Sequence, residues 1–366
     1  NVVIDDINVS LIGGYDDCFD AGLPFPPSNT QVLIHGGNND SVIKVLGDFV
    51  DKSILLRNLR LTEGLGMAPS GESTGGGLLS YQTTAEIALH NVDIRNNDAE
   101  FGAGISVIQK ESRETLLIIT ESLIINNLAK YGAGIYCSGI NTSPNRPDSR
   151  IYIAKNSGVV ANVANGIQSI GNPSYGQGAG VYVNACELNL YSGSENGPLV
   201  GINTNFAFAD GGGIYADNRS SIWMFGMYAC NGGPPCFGNN SNPVKITGNV
   251  AGFTSNFGSG GGVFSKDFSS LRLFGSLIEG NSAKSKGGGV MLDTSTILAD
   301  HGNPTCWNDS ACNYFMGNIS LGVPTGQGGS APSHGGAIFS LNSLNVILSA
   351  AFEDNLATHG AAITLD

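Results

Sequence analysis

Charged side chains are scarce in this chain. Asp, Glu, Lys and Arg make up 13% of its 366 residues, about half the usual share of roughly 25%. The shortage is greater for positive charge, with 17 Lys and Arg against 30 Asp and Glu and a net charge of −13. Nucleic-acid binding needs a basic footprint, and this composition supplies none. Attachment to anionic lipid is disfavoured for the same reason. No apolar run approaches the roughly 18–20 residues of a membrane-spanning helix. The chain opens at Asn1 and carries no basic-then-apolar leader, so a processed or trimmed N-terminus is expected. Helix-forming composition is lacking too. The chain has 53 Gly and 37 Asn, and both residues are poor helix formers. Yet 41% of residues are hydrophobic, which argues against simple disorder.

What is present is a repeat. A glycine-rich signature followed by an aliphatic residue occurs nine times, at Gly75–Leu78, Gly102–Ile105, Gly132–Ile135, Gly178–Val181, Gly211–Ile214, Gly260–Val263, Gly287–Val290, Gly335–Ile338 and Gly360–Ile363. Successive aliphatic residues lie 27, 30, 46, 33, 49, 27, 48 and 25 positions apart. The short spacings define a unit of 25–33 residues. The three long ones read as one unit plus an inserted loop. A second signature precedes eight of the nine: an apolar residue, two variable positions, Asn, one variable position, then Ala or Ser. Its asparagines are Asn97, Asn127, Asn162, Asn205, Asn249, Asn281, Asn318 and Asn355.

Between the signatures lie short β-favouring runs such as Glu86–Leu89, Leu116–Ile119, Ile151–Ile153, Leu271–Phe274 and Val346–Leu348. They are too short for helices and read as strands. Each unit is expected to hold three strands: one after the glycines, one in the middle and one leading into the Asn. That is the content of one coil of a parallel β-helix. Stacked coils about 4.8 Å apart place equivalent residues in ladders. An Asn at one fixed turn then bonds the backbone and its neighbours above and below. The glycines allow positive φ at a sharp corner and leave no side chain to clash in the stack. All eight asparagines are therefore expected to be structural. Residues 1–74 contain strand-like runs without the full signature, such as Val2–Ile4, Val32–Ile34 and Ile54–Leu56. They read as two degenerate coils. The expectation is one all-β solenoid domain over residues 1–366, of about eleven three-strand coils with three inserted loops, at 139–175, 226–245 and 300–333.

Seven cysteines are present: Cys18, Cys137, Cys186, Cys230, Cys236, Cys306 and Cys312. Cys230/Cys236 and Cys306/Cys312 are each six positions apart, around turn-forming residues. Zinc sites favour shorter C-x-x-C pairs with His nearby. These two pairs read instead as disulfide-closed loops, which would place the chain outside the cytoplasm. Cys137–Cys186 is a weaker third pairing. Cys137 lies two residues after its aliphatic marker and Cys186 five after its own, so the two need not face each other.

The two signatures resemble the repeats of the chlamydial polymorphic membrane proteins, whose autotransporter passengers carry GGA-[ILV] and FxxN motifs. The match covers Gly75 to Ile363. Strict Phe-x-x-Asn occurs at Phe315 and Phe352, and strict Gly-Gly-Ala-Ile at Gly335–Ile338; elsewhere Ile or Val replaces Phe. The resemblance implies a right-handed β-helix, display at the surface of a Gram-negative bacterium, and adhesion. It carries no catalytic residue across. A family member would also have a C-terminal membrane barrel, whereas this sequence stops at Ile363–Asp366.

Many secreted β-helices cleave acidic polysaccharides, which makes an enzyme the runner-up. Such enzymes need two or three converging carboxylates and a cation for substrate charge. Asp5-Asp6 and Asp16-Asp17 lie in the irregular N-terminal stretch. His35, His334 and His359 precede glycines, but Gly-His-Gly and Arg-x-Lys are absent. Asp16, Asp17 and Asp20 form the one oxygen-rich group with calcium chemistry, and they read more simply as solvated loop residues. No cofactor or metal is expected. The sequence thus points to a non-enzymatic, secreted or surface-exposed scaffold or adhesin that binds through its inserted loops. Its expected partners are a host or neighbouring-cell surface, a matrix protein or a glycan. Ends that look uncapped add a second possibility, head-to-tail self-association into a filament.

Overall fold

The computed structural model describes residues 2–5, 7–14, 31–47, 52–109, 111, 114–140, 147–165, 176–192, 200–226, 243–253, 257–300, 313–322, 324–325, 329–330, 332–348 and 350–366. Every regular element among them is a β-strand. Accordingly, no described helix is long and apolar enough to cross a membrane. Apart from one small antiparallel pair, Pro324–Thr325 with Gly329–Ser330, all strand pairing is parallel. The strands form three main parallel sheets that the chain visits in turn, the third of them only in the repeats from Leu128–Ala129 to Ile319–Ser320, giving a solenoid-like stack.

The glycine sheet has eleven strands, each four residues or fewer, running from Val2–Asp5 through Ile43–Leu46 and Leu78–Tyr81 to Ile363–Leu365. Eight of the nine sequence-marked aliphatics that head its strands (Leu78, Ile105, Ile135, Val181, Ile214, Val263, Val290 and Ile338) are fully buried, and Ile363 is partly buried. The first glycine of each motif turns the corner before the strand. Gly102, for example, has φ +59°, and a Cβ there would lie 2.3 Å from the Ile105 carbonyl oxygen. No side chain fits that corner.

The long sheet has eighteen strands and contains both of the other expected runs of each unit. Early in the chain the two runs are one bent strand, as in Ser53–Thr62 and Glu86–Arg95; later they separate, as in Thr115–Thr120 and Leu123–Ile125. The bend falls at Asn58 and Asn91, both with positive φ (52° and 53°). A third sheet was not expected. Its six two-residue strands follow the ladder asparagines, as at Leu128–Ala129, Val163–Ala164 and Phe206–Ala207. Two residues are too few to leave a periodic pattern in a sequence. The small residue of the motif is the inward half of each pair, and Ala129, Ala164, Ala207, Ala251 and Ala283 are all buried.

The N-terminal stretch joins the same sheets. Val9–Ile12 and Val32–His35 lie side by side on the two halves of Ser53–Thr62. Inward aliphatics from the glycine and long sheets merge into one continuous apolar core from Ile4 to Ile338. Such a core is the main source of stability in a stack whose repeats touch only their neighbours.

Candidate functional site

The eight asparagines follow an αL corner residue, such as Asn126 (φ 55°) before Asn127. Asn162 illustrates their bonding. Its Oδ1 accepts the backbone N–H of Asn127 and the Nδ2–H of Asn127, both at 3.0 Å. Its Nδ2 donates to the Ile124 carbonyl and to Asn205 Oδ1, again at 3.0 Å. The same set recurs at Asn127, Asn205, Asn249, Asn281 and Asn318. It starts where Asn97 Oδ1 accepts the Gly64 N–H and ends at Asn355, whose Nδ2 donates to the Phe315 carbonyl. Each of the six interior amides, Asn127 to Asn318, uses both Nδ2 hydrogens and both Oδ1 lone pairs within the stack, leaving none for a ligand.

Serines cap other corners in a way the sequence reading missed. Ser122 Oγ accepts the Val92 N–H, Ser157 Oγ the Ser122 N–H, and Ser220 and Ser269 continue the arrangement at the opposite corner. Serine at a fixed distance before a strand was the available signal, diluted by its frequency in loops.

Cys137 and Cys186 are joined in a disulfide, and both are fully buried. This is the pairing that the sequence offered as the weaker third, and the differing offsets from the aliphatic markers do not keep the two apart. Cys137 pairs in register with Val183, and the chain then turns at Ala185 (φ 53°), which brings the Cys186 side chain back to the interior. The bond ties two successive repeats across the insertion that begins at Gly139. The pairs Cys230/Cys236 and Cys306/Cys312 lie outside the described residues, as do Cys18, Asp6, Asp16, Asp17 and Asp20 and most of the expected loop 226–245. The other two expected loops are narrower than 139–175 and 300–333, because Ser149–Ala154, Gly158–Val160, Val163–Ala164, Asn313–Met316 and Ile319–Ser320 are strands that complete their repeats. His35 and His359 are exposed corner residues, and the His334 ring stacks on His359 at 5.0 Å.

Two aromatic columns run along the outside. On the glycine sheet the residue after each marker points outward, giving Tyr136, Tyr182, Tyr215, Phe264, Met291 and Phe339. Their rings stack at 5.3, 4.9 and 5.1 Å from Tyr136 to Phe264. Neighbours cover one another so well that Tyr215 keeps only 3% of its surface. Burial pushes the Tyr182 and Tyr215 hydroxyls well above their ordinary range. The aliphatic marker was legible in the sequence, but the stacking of the residue after it was not.

A carboxylate cluster borders this column on adjacent repeats. Lys266 Nζ lies 3.3 Å from both Asp217 Oδ2 and Asp267 Oδ2. Burial, then a hydrogen bond with Asp267, raises Asp217; the same hydrogen bond holds Asp267 low. Asp210 accepts the Ser259 N–H at 2.8 Å, and burial pushes it up to about 6. Glycosidase carboxylates stand about 5–5.5 Å or 6.5–9.5 Å apart to admit a sugar or a water. A hydrogen-bonded pair closed by an ammonium does not fit that geometry. Among the described residues no group of three or more His, Cys, Asp or Glu could hold a metal ion.

The second column lies on the outer face of the long sheet and is only partly buried. Tyr152, Tyr191, Phe225 and Phe274 stack at 5.8, 5.0 and 5.1 Å with planes within 9° of parallel. Trp223 packs on Phe225 at 5.6 Å, and the Arg272 guanidinium sits 3.9 Å over the indole.

No family model, curated protein or solved structure matches the chain.

Proposed function

We propose that this chain is a right-handed parallel β-helix of about eleven coils, acting outside the cytoplasm as a non-enzymatic adhesive scaffold, as the polymorphic-membrane-protein repeats suggest. The observation that carries the reading is the full commitment of the recurring polar residues to the stack. The Asn ladder hydrogen-bonds to itself and the backbone, and the Asp217–Lys266–Asp267 cluster is closed on itself. What repeats is architecture, and what varies is loops and outer faces, where recognition sits on rigid scaffolds. The buried Cys137–Cys186 disulfide favours an oxidising compartment. Display on a Gram-negative cell surface is part of the same proposal and rests on the repeat resemblance.

The test joins two assays. The purified chain should release neither reducing ends nor unsaturated sugars from acidic polysaccharides, and it should bind cells or extracellular matrix. Deleting residues 139–148 should reduce that binding while the β-type circular dichroism spectrum is kept. Turnover of a polysaccharide would sink the non-enzymatic reading.

A further inference from the structure

Resting on that reading, we infer that the outer face of the long sheet around Trp223 and Arg272 binds a carboxylate-bearing oligosaccharide laid along the rod. Three observations converge on this occupant. The first is the form of the aromatic column. Parallel rings with centroids 5.0–5.1 Å apart form a ladder on the outer face, and each remains partly exposed, so apolar ring surface recurs once per repeat. A chain of pyranose rings offers the matching surface, a row of C–H faces at nearly regular intervals.

The second is uncompensated positive charge. In a chain of net charge −13, Lys44, Arg60, Arg95, Lys130, Arg150 and Lys266 are held in ion pairs. Arg272 and Lys245 are among the described cations that make none. Their positions follow from the strand registers. Phe225 falls in the column of Arg57, and Lys245 in that of Arg60, three residues further along the continuous strand Ser53–Thr62. Arg272 pairs directly with Trp223. The two cations thus flank the Phe225–Phe274 stack, one on each side.

The third is the polar border. Thr247 donates to Asn203 Oδ1 at 2.8 Å beside Lys245, while Ser221 and Ser270 share a hydroxyl contact of 3.2 Å beyond Trp223. Hydroxyl and amide groups on both margins with rings between them suit a ligand that is apolar on its faces and hydroxylated at its edges. Glu187 pairs in register with Ser221 and Glu279 with Thr247, so a carboxylate closes each margin and limits the surface to the strip between them. A guanidinium already stacked on an indole keeps its N–H edges for a carboxylate, with little further ordering needed.

Trp223 is its own reporter, since the only other tryptophan is Trp307. In a Trp307→Phe background, short oligogalacturonates should shift Trp223 emission saturably. Arg272→Gln with Lys245→Gln should weaken binding by about tenfold or more, the usual yield of losing charge-assisted hydrogen bonds. Phe225→Ala should weaken it several-fold, and unchanged thermal unfolding of the Gln variant shows that the rod persists. No saturable shift overturns the inference. So does equal binding of neutral cello-oligosaccharides, or of oligo-deoxythymidine, which would make the face a generic platform or a generic polyanion site. If the intact chain adheres to cells and the Arg272/Lys245 variant adheres equally, this site is wrong while the adhesive reading stands. If the oligosaccharide is cleaved, the adhesive reading fails on its own.

Discussion

The described residues of 31–74 and of 75–366 share the glycine and long sheets, yet they solve the corner problem differently. In the later region an Asn at each corner captures the N–H of the corner before it. In the earlier region that column holds Gly64, next above Asn97, and the backbones close in. A Cβ at Gly64 would lie 1.9 Å from the Gly76 carbonyl oxygen. Its asparagine, Asn58, sits instead at the bend of the long sheet, where it accepts from Asn91 Nδ2 of the next repeat at 2.9 Å and donates to the Gly13 carbonyl at 3.2 Å. The repeat signature is therefore one way of meeting a more general requirement. Every buried corner N–H and C=O must find a partner, and glycine, serine or asparagine can each arrange it.

The largest break in this comparison should come from the disulfide, which lies in the regular region. Replacing Cys137 and Cys186 with Ala, a separation of 49 residues, should cost about 4 kcal/mol on a loop-closure estimate. In a nearest-neighbour stack, hydrogen exchange should rise most around Ile135–Ser138 and Cys186–Tyr191 and least at Ser53–Thr62. Uniform exchange along the chain would contradict it.

Gly64→Asn should fail to extend the ladder upward. The side chain would meet backbone at 1.9 Å, so a loss of about 3 kcal/mol is expected in urea unfolding. A stabilised variant would show that the two corner solutions are interchangeable.

The two ladders can then be ranked. Asn281→Leu strips partners from Asn249 and from the Ile246 carbonyl, an expected cost of about 2 kcal/mol. Asn58→Leu removes one contact on each side of a shorter ladder and should cost about 1 kcal/mol. Equal costs would mean that ladder length adds nothing.

The smallest effect concerns pH and separates the regions by charge. Burial raises Asp210 to about 6, above its value in the unfolded chain. Its neutral form is therefore favoured by folding. That contribution is fully present below the unfolded pKa and is lost as pH rises through about 6. Asp210→Asn keeps an acceptor for the Ser259 N–H. It should be more stable than the parent by about 1 kcal/mol at pH 8, with the gap closing toward pH 4, as read by thermal midpoints. A gap that widens on acidification would reverse the assignment.

Much of this molecule was legible in its residues. The spacing of Gly-x-Gly-aliphatic motifs located nearly every strand of the glycine sheet, and apolar-x-x-Asn marked the corners, because a stack of equivalent turns imposes the same steric and hydrogen-bonding demand each time. The candidate site was less legible. Trp223 and Arg272 carry no motif, and they meet only because parallel pairing puts residues 49 positions apart in register.

The sequence by itself determined the repeat, the strand content, the positive-φ corners and the polar residue that each corner requires, since those are local demands met once per unit. Tertiary structure alone decided which residues became neighbours across units. It turned Cys186 inward after an αL corner, gathered Asp217, Lys266 and Asp267 on adjacent repeats, and aligned Tyr191, Phe225 and Phe274 on one outer face. Insertions of variable length lie between those positions, and register across an insertion is set by inter-strand hydrogen bonds rather than by distance along the chain.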